Sequence, residues 1–336
     1  MNFTIKDIAK LAGVSVSTVS RVINNNYPVS DIARKKVEMV MQENNYRPNG
    51  VARSLRSNKT HMIALIIPEL PNLFFMRAAK GLEQEMAKRG YSLAIASSGG
   101  KAVRERELIE MFMERRIDGL VIASVDSQNR SINYSIGMGV SVVIVDRNVT
   151  GVNASKVLWN NIEGSYQLTK FLMKNGHKRI GMINVSLKNQ NGQERQEGYF
   201  RALKEAGLKL EKSLVSGSNH TVEQAYSCVK EMLMQPTPPT ALYCGNGIVL
   251  EGALKALEEL HLEVYKDISL VAFGNCDCNQ FITPKITTAE QDCVEMGKRA
   301  GVLLNNLING KKTEASEIIL NTELVVRDSV RNLLLC

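Results

Sequence analysis

The chain lacks any apolar run approaching the roughly 18 residues that a bilayer-spanning helix needs. Its start, Met-Asn-Phe-Thr-Ile-Lys-Asp, has no basic segment leading into an apolar stretch of the secretory kind. The expectation is a soluble, cytoplasmic protein with no membrane contact. No CxxC pair occurs among Cys228, Cys244, Cys276, Cys278, Cys293 and Cys336, and no histidine stands at ligand spacing from them. Buried or free thiols are therefore expected, with no metal and no other cofactor. A GxSxG elbow and a GxxxxGK[ST] loop are also missing, and Ser97-Ser-Gly-Gly is only a weak glycine turn. Catalysis has no constellation to rest on, so the chain reads as a non-enzyme.

What is present starts with length and charge. At 336 residues, 44% hydrophobic and 23% charged, the chain can bury two or three separate cores. Ten Lys and Arg face four Asp and Glu in residues 1–60, so about +6 of the net +8 sits there. A basic module on a near-neutral body fits a polyanionic partner, although a solvated basic face has the same composition.

Residues 4–45 read as three short helices sharing one small core. Apolar positions recur at helical spacing through Ile5, Ile8, Ala9 and Ala12, then Val16, Val19 and Val22, then Val37, Val40 and Met41. Thr4 followed by Asp7 suits an N-cap with its carboxylate partner, Gly13 suits the first exit, and Ser30 suits the third cap. Two helices around a tight turn at Gly13 have helix-turn-helix geometry. On the second helix Val16, Ser17 and Arg21 share an outward face, and Arg21 can donate two hydrogen bonds to a guanine edge. Hydroxyls at Thr4, Ser15, Thr18, Ser20 and Ser30, with Asn24, suit phosphate contacts. A three-helix unit of this size also serves as a protein-interaction module, and periodicity does not separate the two.

From residue 61 apolar runs alternate with amphipathic helices: His61–Ile67, Tyr91–Ser97, Gly119–Ala123, Ser141–Val145, Ile180–Val185, Ala241–Cys244 and Ile268–Phe273. Seven strands separated by helices predict two doubly wound parallel α/β subdomains, with ligand in the cleft at the carboxyl ends of the strands. The expected division is a headpiece over 1–47, a linker over 48–60 and a core over 61–336. Within the core one subdomain takes about 61–160 and 290–321, the other about 161–289 and 322–336.

Ile5–Asn24, followed by Tyr46-Arg-Pro-Asn-Gly-Val-Ala-Arg-Ser-Leu-Arg, closely resembles the lactose-repressor and galactose-repressor family of bacterial transcription regulators. The resemblance continues through Ile63–Phe75, Arg116–Ile122, Gly176–Gly181, Glu197–Tyr199 and Ile286–Asp292, and so covers essentially the whole chain. It implies a periplasmic-binding-protein-like core, a homodimer on a near-palindromic operator, and an effector in the cleft. It also implies that the segment after Tyr46 and Asn49 forms a hinge helix on DNA. There Leu55 would wedge into the minor groove, Arg53 and Arg56 would add phosphate attraction, and Ala52 would allow two hinge helices to approach. A transport-associated binding protein would fit residues 61–330 but not a basic helical headpiece.

Position by position, the resemblance places Phe74, Phe75, Asp146, Trp159, Arg195, His220, Asn246 and Gln291 around the effector. Phe74 and Phe75 fit a core equally well, and Trp159 fits either role. Arg195 would anchor a hydroxyl pair or a carboxylate with two parallel hydrogen bonds. The chain departs from the family at Gly274, Gly247 and Asn160, each standing where an Asp is common. Lost carboxylates speak against a simple neutral sugar and towards a sugar acid or sugar phosphate. A cleft answering to a protein partner or a non-sugar metabolite is the competing expectation. Closure of the cleft would reset the hinge helices, with induction of a repressor as the preferred sign. The C-terminus has no long leucine heptad, which favours a dimer over a tetramer.

Overall fold

The computed structural model describes residues 3–24, 27–46, 59–186, 190–218, 221–275, 277–310 and 314–335. The chain divides into two units, Met1–His61 and Met62–Cys336.

The first unit holds α1 (Ile5–Ala12), α2 (Val16–Asn24) and α3 (Asp31–Glu43). The cap signals act as the sequence indicates. Thr4 Oγ1 accepts from Asp7 N at 3.4 Å while Thr4 N donates to Asp7 Oδ2 at 2.8 Å. Gly13 leaves α1 at φ 65°, a left-handed conformation that costs a residue without Cβ little. Ser30 caps α3 by accepting from Ala33 N at 3.3 Å. Ile8, Ala9, Ala12, Val19, Val22 and Val37 form the core of this unit. So few apolar side chains make it marginal in size, and helix caps worth about 1 kcal/mol each matter correspondingly.

The second unit contains two six-stranded sheets. The first has order β11-β5-β4-β3-β1-β2, from β1 (Met62–Ile67), β2 (Ser92–Ser97), β3 (Gly119–Ile122), β4 (Ser141–Val145), β5 (Ser155–Trp159) and β11 (Glu317–Leu320). All its pairings are parallel. The second has order β12-β10-β9-β8-β6-β7, from β6 (Ile180–Asn184), β7 (Val215–Gly217), β8 (Ala241–Cys244), β9 (Ser269–Phe273), β10 (Thr287–Glu290) and β12 (Glu323–Val325). Only β10 with β12 runs antiparallel there. Ile63 to Ile67 are all buried, as a strand covered on both faces demands.

Seven strands were expected in this region and twelve are observed among the described residues. The five others are β5, β7, β10, β11 and β12, and each hides for a physical reason. β5 opens on the polar Ser155 and Lys156 and leaves only three apolar residues, β10 reads Thr-Thr-Ala-Glu, β7 has three residues, and β11 and β12 are half-exposed. Neither alternation nor a long apolar run marks them.

Helices cover both sheet faces: α4 (Leu73–Ala87), α5 (Ala102–Glu114), α6 (Arg130–Gly137) and α11 (Cys293–Ile308) on the first sheet, α7 (Asn161–Lys174), α8 (Gln190–Glu205), α9 (Val222–Leu233) and α10 (Gly247–Glu259) on the second. The chain passes between sheets three times, after Trp159, after Glu290 and after Leu320. Helices α4 and α11 touch backbone to backbone. A Cβ at Gly81 would lie 2.0 Å from Val294 O, and one at Gly297 would lie 1.9 Å from Ala78 O. This contact fixes the start of α4 beside the second crossing, where Gln291 and Cys293 stand.

Candidate functional site

In the headpiece Val16 and Ser17 are exposed on α2 while Val19 and Val22 turn into the core. Arg21 is exposed, and its guanidinium lies 5.4 Å over the ring of Tyr27. The small polar groups around this face are largely bonded to one another. Thr4 Oγ1 donates to Asp7 Oδ2 at 2.7 Å, Ser15 Oγ accepts from Thr18 N at 3.1 Å, and Asn24 Nδ2 donates to Ser20 O at 2.8 Å. Tyr46 packs against the core, and burial pushes its phenol pKa up. Asn49, Ala52, Arg53, Leu55 and Arg56 lie outside the described residues.

In the second unit a cavity of about 780 Å³ opens between the carboxyl ends of the two sheets. Phe74, Phe75, Asp146, Arg195, Asn246 and Gln291 all line it. Trp159 does not. It is buried in the core of the first sheet, because burial alternates along β5 and sends Ser155, Val157 and Trp159 to the same inner face. His220 lies outside the described residues.

Local structure explains how each group is aimed. Asp146 ends β4 in a left-handed conformation, φ 64°, with its N–H on Val157 O at 3.0 Å. Its Oδ1 accepts from Asn191 Nδ2 at 3.1 Å, and Oδ2 lies 3.6 Å from Arg147 Nε. Burial raises the Asp146 pKa, opposed by Arg147 and Arg195. Arg195 is buried on α8, donating through Nε to Asn161 Oδ1 at 3.0 Å and through Nη1 to Gly245 O at 2.6 Å. The guanidinium stacks on Phe273 with its carbon 3.9 Å from the ring centroid. Burial lowers its pKa, countered by Tyr243 and Asp146. Such a group stays a cation held in a fixed plane.

Phe74 is half-buried and meets Phe75 edge to face at 5.0 Å, while Phe75 also belongs to the core. Asn246 caps α10, its Oδ1 accepting from Val249 N at 2.8 Å. Gln291 is buried, and its backbone N–H reaches Asn275 Oδ1 at 2.9 Å. Its Nε2 has no hydrogen-bond partner among the described residues. Gly274 has φ 86° and leaves open the space where a Cβ would stand 3.3 Å from Gln291 Oε1.

Four contributors were not singled out in the sequence. Arg147 follows Asp146 at the strand end, Asn191 stands four residues before Arg195 on the same helix face, and Arg77 pairs with Asp277 across the cavity rim. The first two carried a usable signal, adjacency to a candidate at a strand end and i, i+4 spacing. Arg77 and Asp277 are 200 positions apart, and no local pattern links them.

The family model for bacterial regulatory proteins of the lacI family matches residues 4–49, and that for a periplasmic binding protein-like domain matches 169–330. The HTH-type transcriptional repressor PurR of Pasteurella multocida is 34% identical over 330 residues, covering 98% of this chain and 99% of that protein. The ribose operon repressor of Haemophilus influenzae is also 34% identical over 330 residues, with the same coverage. A crystal structure of the Lac repressor dimer bound to operator and the anti-inducer ONPF superposes with a TM-score of 0.88. At 23% identity, over 98% of this chain and 100% of that one, it speaks for the fold. A helix-turn-helix headpiece, two parallel α/β subdomains and relatives matched end to end lead to one assignment: the chain belongs to the lacI family of bacterial regulatory proteins, DNA-binding regulators of transcription.

Proposed function

We propose that the protein is a cytoplasmic repressor that binds a near-palindromic operator as a homodimer and is switched by a small molecule in the inter-sheet cavity. The effector is a sugar, sugar acid or sugar phosphate. The observation that carries this reading is the convergence of six side chains from both sheets on one cavity, with Arg195 held rigid and Gln291 left with an unused donor. Buried polar groups without partners are rare in folded chains, and a polar ligand supplies what is missing.

Residues 1–47 read the operator, 48–60 form the hinge and 61–336 bind effector and partner. Val16, Ser17 and Arg21 face the bases; Thr4, Ser15, Thr18, Ser20, Asn24 and Ser30 face phosphates, exchanging their internal hydrogen bonds for phosphate oxygens. Leu55 wedges the minor groove between Arg53 and Arg56. Effector closing the cavity shifts the two sheets and disorders the hinge, releasing DNA by linkage.

The test begins with a duplex selected from random sequence by the purified protein. Leu55→Ala should weaken binding to that duplex in a gel-shift titration while leaving effector affinity intact. Undiminished operator affinity would remove the hinge from the reading. Unfolding against neutral sugars, sugar acids, sugar phosphates and purines should show one class raising stability, since a ligand of the folded state stabilises it by mass action. Stability unmoved throughout would speak for a protein partner.

A further inference from the structure

The floor of the cavity is short of acceptors. Two guanidiniums, Arg147 and Arg195, stand against one carboxylate, Asp146, whose oxygens already face Asn191 and Arg147. Two buried donors, Gln291 Nε2 and Arg147 Nε, have no hydrogen-bond partner among the described residues. Gly274, where a Cβ would stand 3.3 Å from Gln291 Oε1, brings no acceptor to this part of the cavity.

Two helices add to the imbalance. The first turns of α4 and α10, at Leu73 to Phe75 and Gly247 to Ile248, line the cavity. Asn72 already takes the N–H groups of Phe74 and Phe75, and Asn246 takes that of Val249, so what the two helices add is the positive end of their dipoles. The remaining acids stand further out: Glu251 is exposed, Glu69 half-buried, and Asp277 is paired with Arg77. A buried excess of one cation is costly unless a partner neutralises it, and a hydroxyl does not.

We infer that the effector carries an anionic group, a carboxylate or a phosphate ester, seated against Arg147, Arg195 and Gln291. This rests on the reading of the cavity as the effector site and narrows it. A neutral polyol would leave the floor charged, whereas one anionic group supplies both the missing acceptors and the missing charge.

The probe is a fractionated extract rather than one chosen compound. Small metabolites extracted from bacteria are passed over a strong anion exchanger at neutral pH, and each fraction is assayed for changing the affinity of the full-length protein for its selected duplex. The activity is expected in the retained fraction. Phosphatase sensitivity then marks a phosphate ester and resistance marks a carboxylate. Gln291→Glu, nearly isosteric, should need at least about tenfold more of that fraction for the same effect, one unit of charge at close range sufficing for this. Arg147→Gln, at a side chain 19% exposed, gives the same readout if the first variant folds poorly. Activity in the flow-through overturns the anionic inference and keeps the effector cavity. A retained activity to which Gln291→Glu and Arg147→Gln respond like the parent places the anion elsewhere and overturns it too. No activity in any fraction overturns both the inference and the reading beneath it.

Discussion

The exposed face of α2 and the floor of the cavity are built on opposite principles. Arg21 stands in solvent with an aromatic ring as its neighbour, whereas Arg195 is buried, stacked and bonded to Asn161 and Gly245. A surface that meets a large rigid polyanion can wait solvated, because the partner brings the opposing charges and released counterions drive association. A pocket for a small molecule has no such help. Its groups must be desolvated and aimed beforehand, and the fold carries that cost. Substitution of Arg21 should therefore cost recognition alone, and substitution of Arg195 recognition and stability together.

The largest expected effect is at Arg195. Arg195→Ala leaves Asn161 Oδ1 and Gly245 O without their buried donor and Phe273 without its stacked plane, and should lower stability by about 2–4 kcal/mol in denaturant titration. A variant as stable as the parent would erase the contrast between the two sites. Next, Arg21→Ala should cost about 1–3 kcal/mol of discrimination between operator and random duplex. Its unfolding should stay within about 0.5 kcal/mol of the parent, as for exposed sites in general. A destabilised headpiece would show that Arg21 also holds the fold.

A pH series sharpens the comparison further. His177 is buried in the second unit between Thr240 Oγ1, 2.9 Å from Nδ1, and Arg331 O, 3.1 Å from Nε2. Burial lowers its pKa below the ordinary 6.5. The folded state then holds fewer protons than the unfolded state, so stability is lost as pH falls through 6.5. His177→Gln should flatten that part of the core transition in calorimetry. The headpiece, with no histidine in residues 1–60, should show no such step. The smallest effect is at Tyr27: removing its ring frees Arg21 to sample more rotamers, and Tyr27→Ala should weaken operator binding by about 0.5–1 kcal/mol. An unchanged affinity would mean the stacking contributes nothing to recognition.

How much of this was legible depended on the range of the interactions. Caps at Thr4 and Ser30 and the exit at Gly13 depend on neighbours three residues away, so they could be read directly. Long apolar strands such as Ile63–Ile67 announced themselves because both faces are covered. β10 did not, because Thr287-Thr-Ala-Glu has no apolar run, and β11 and β12 did not, because they are short and half-exposed. Trp159 shows the same limit within a site. Its place at a strand end is visible in the sequence, but whether the ring turns to the cavity or to the core depends on the alternation of a strand that periodicity did not reveal. Asp146 and Arg195 were identifiable by family resemblance, while the spare donor on Gln291 and the rim pair of Arg77 with Asp277 needed three dimensions.

The close packing of α4 on α11, at Gly81 against Val294 and Gly297 against Ala78, has a consequence for biosynthesis. Helix α11 supplies Met296, Ala300, Leu303 and Leu304 to the core around Ile63, Leu65, Leu82 and Met86, and β11 closes the edge beside β5. Both are made after the whole stretch from β6 to β10 has left the ribosome. At roughly 5–20 residues per second the first sheet waits on the order of ten seconds with a greasy flank uncovered. The lobe begun first is thus finished last.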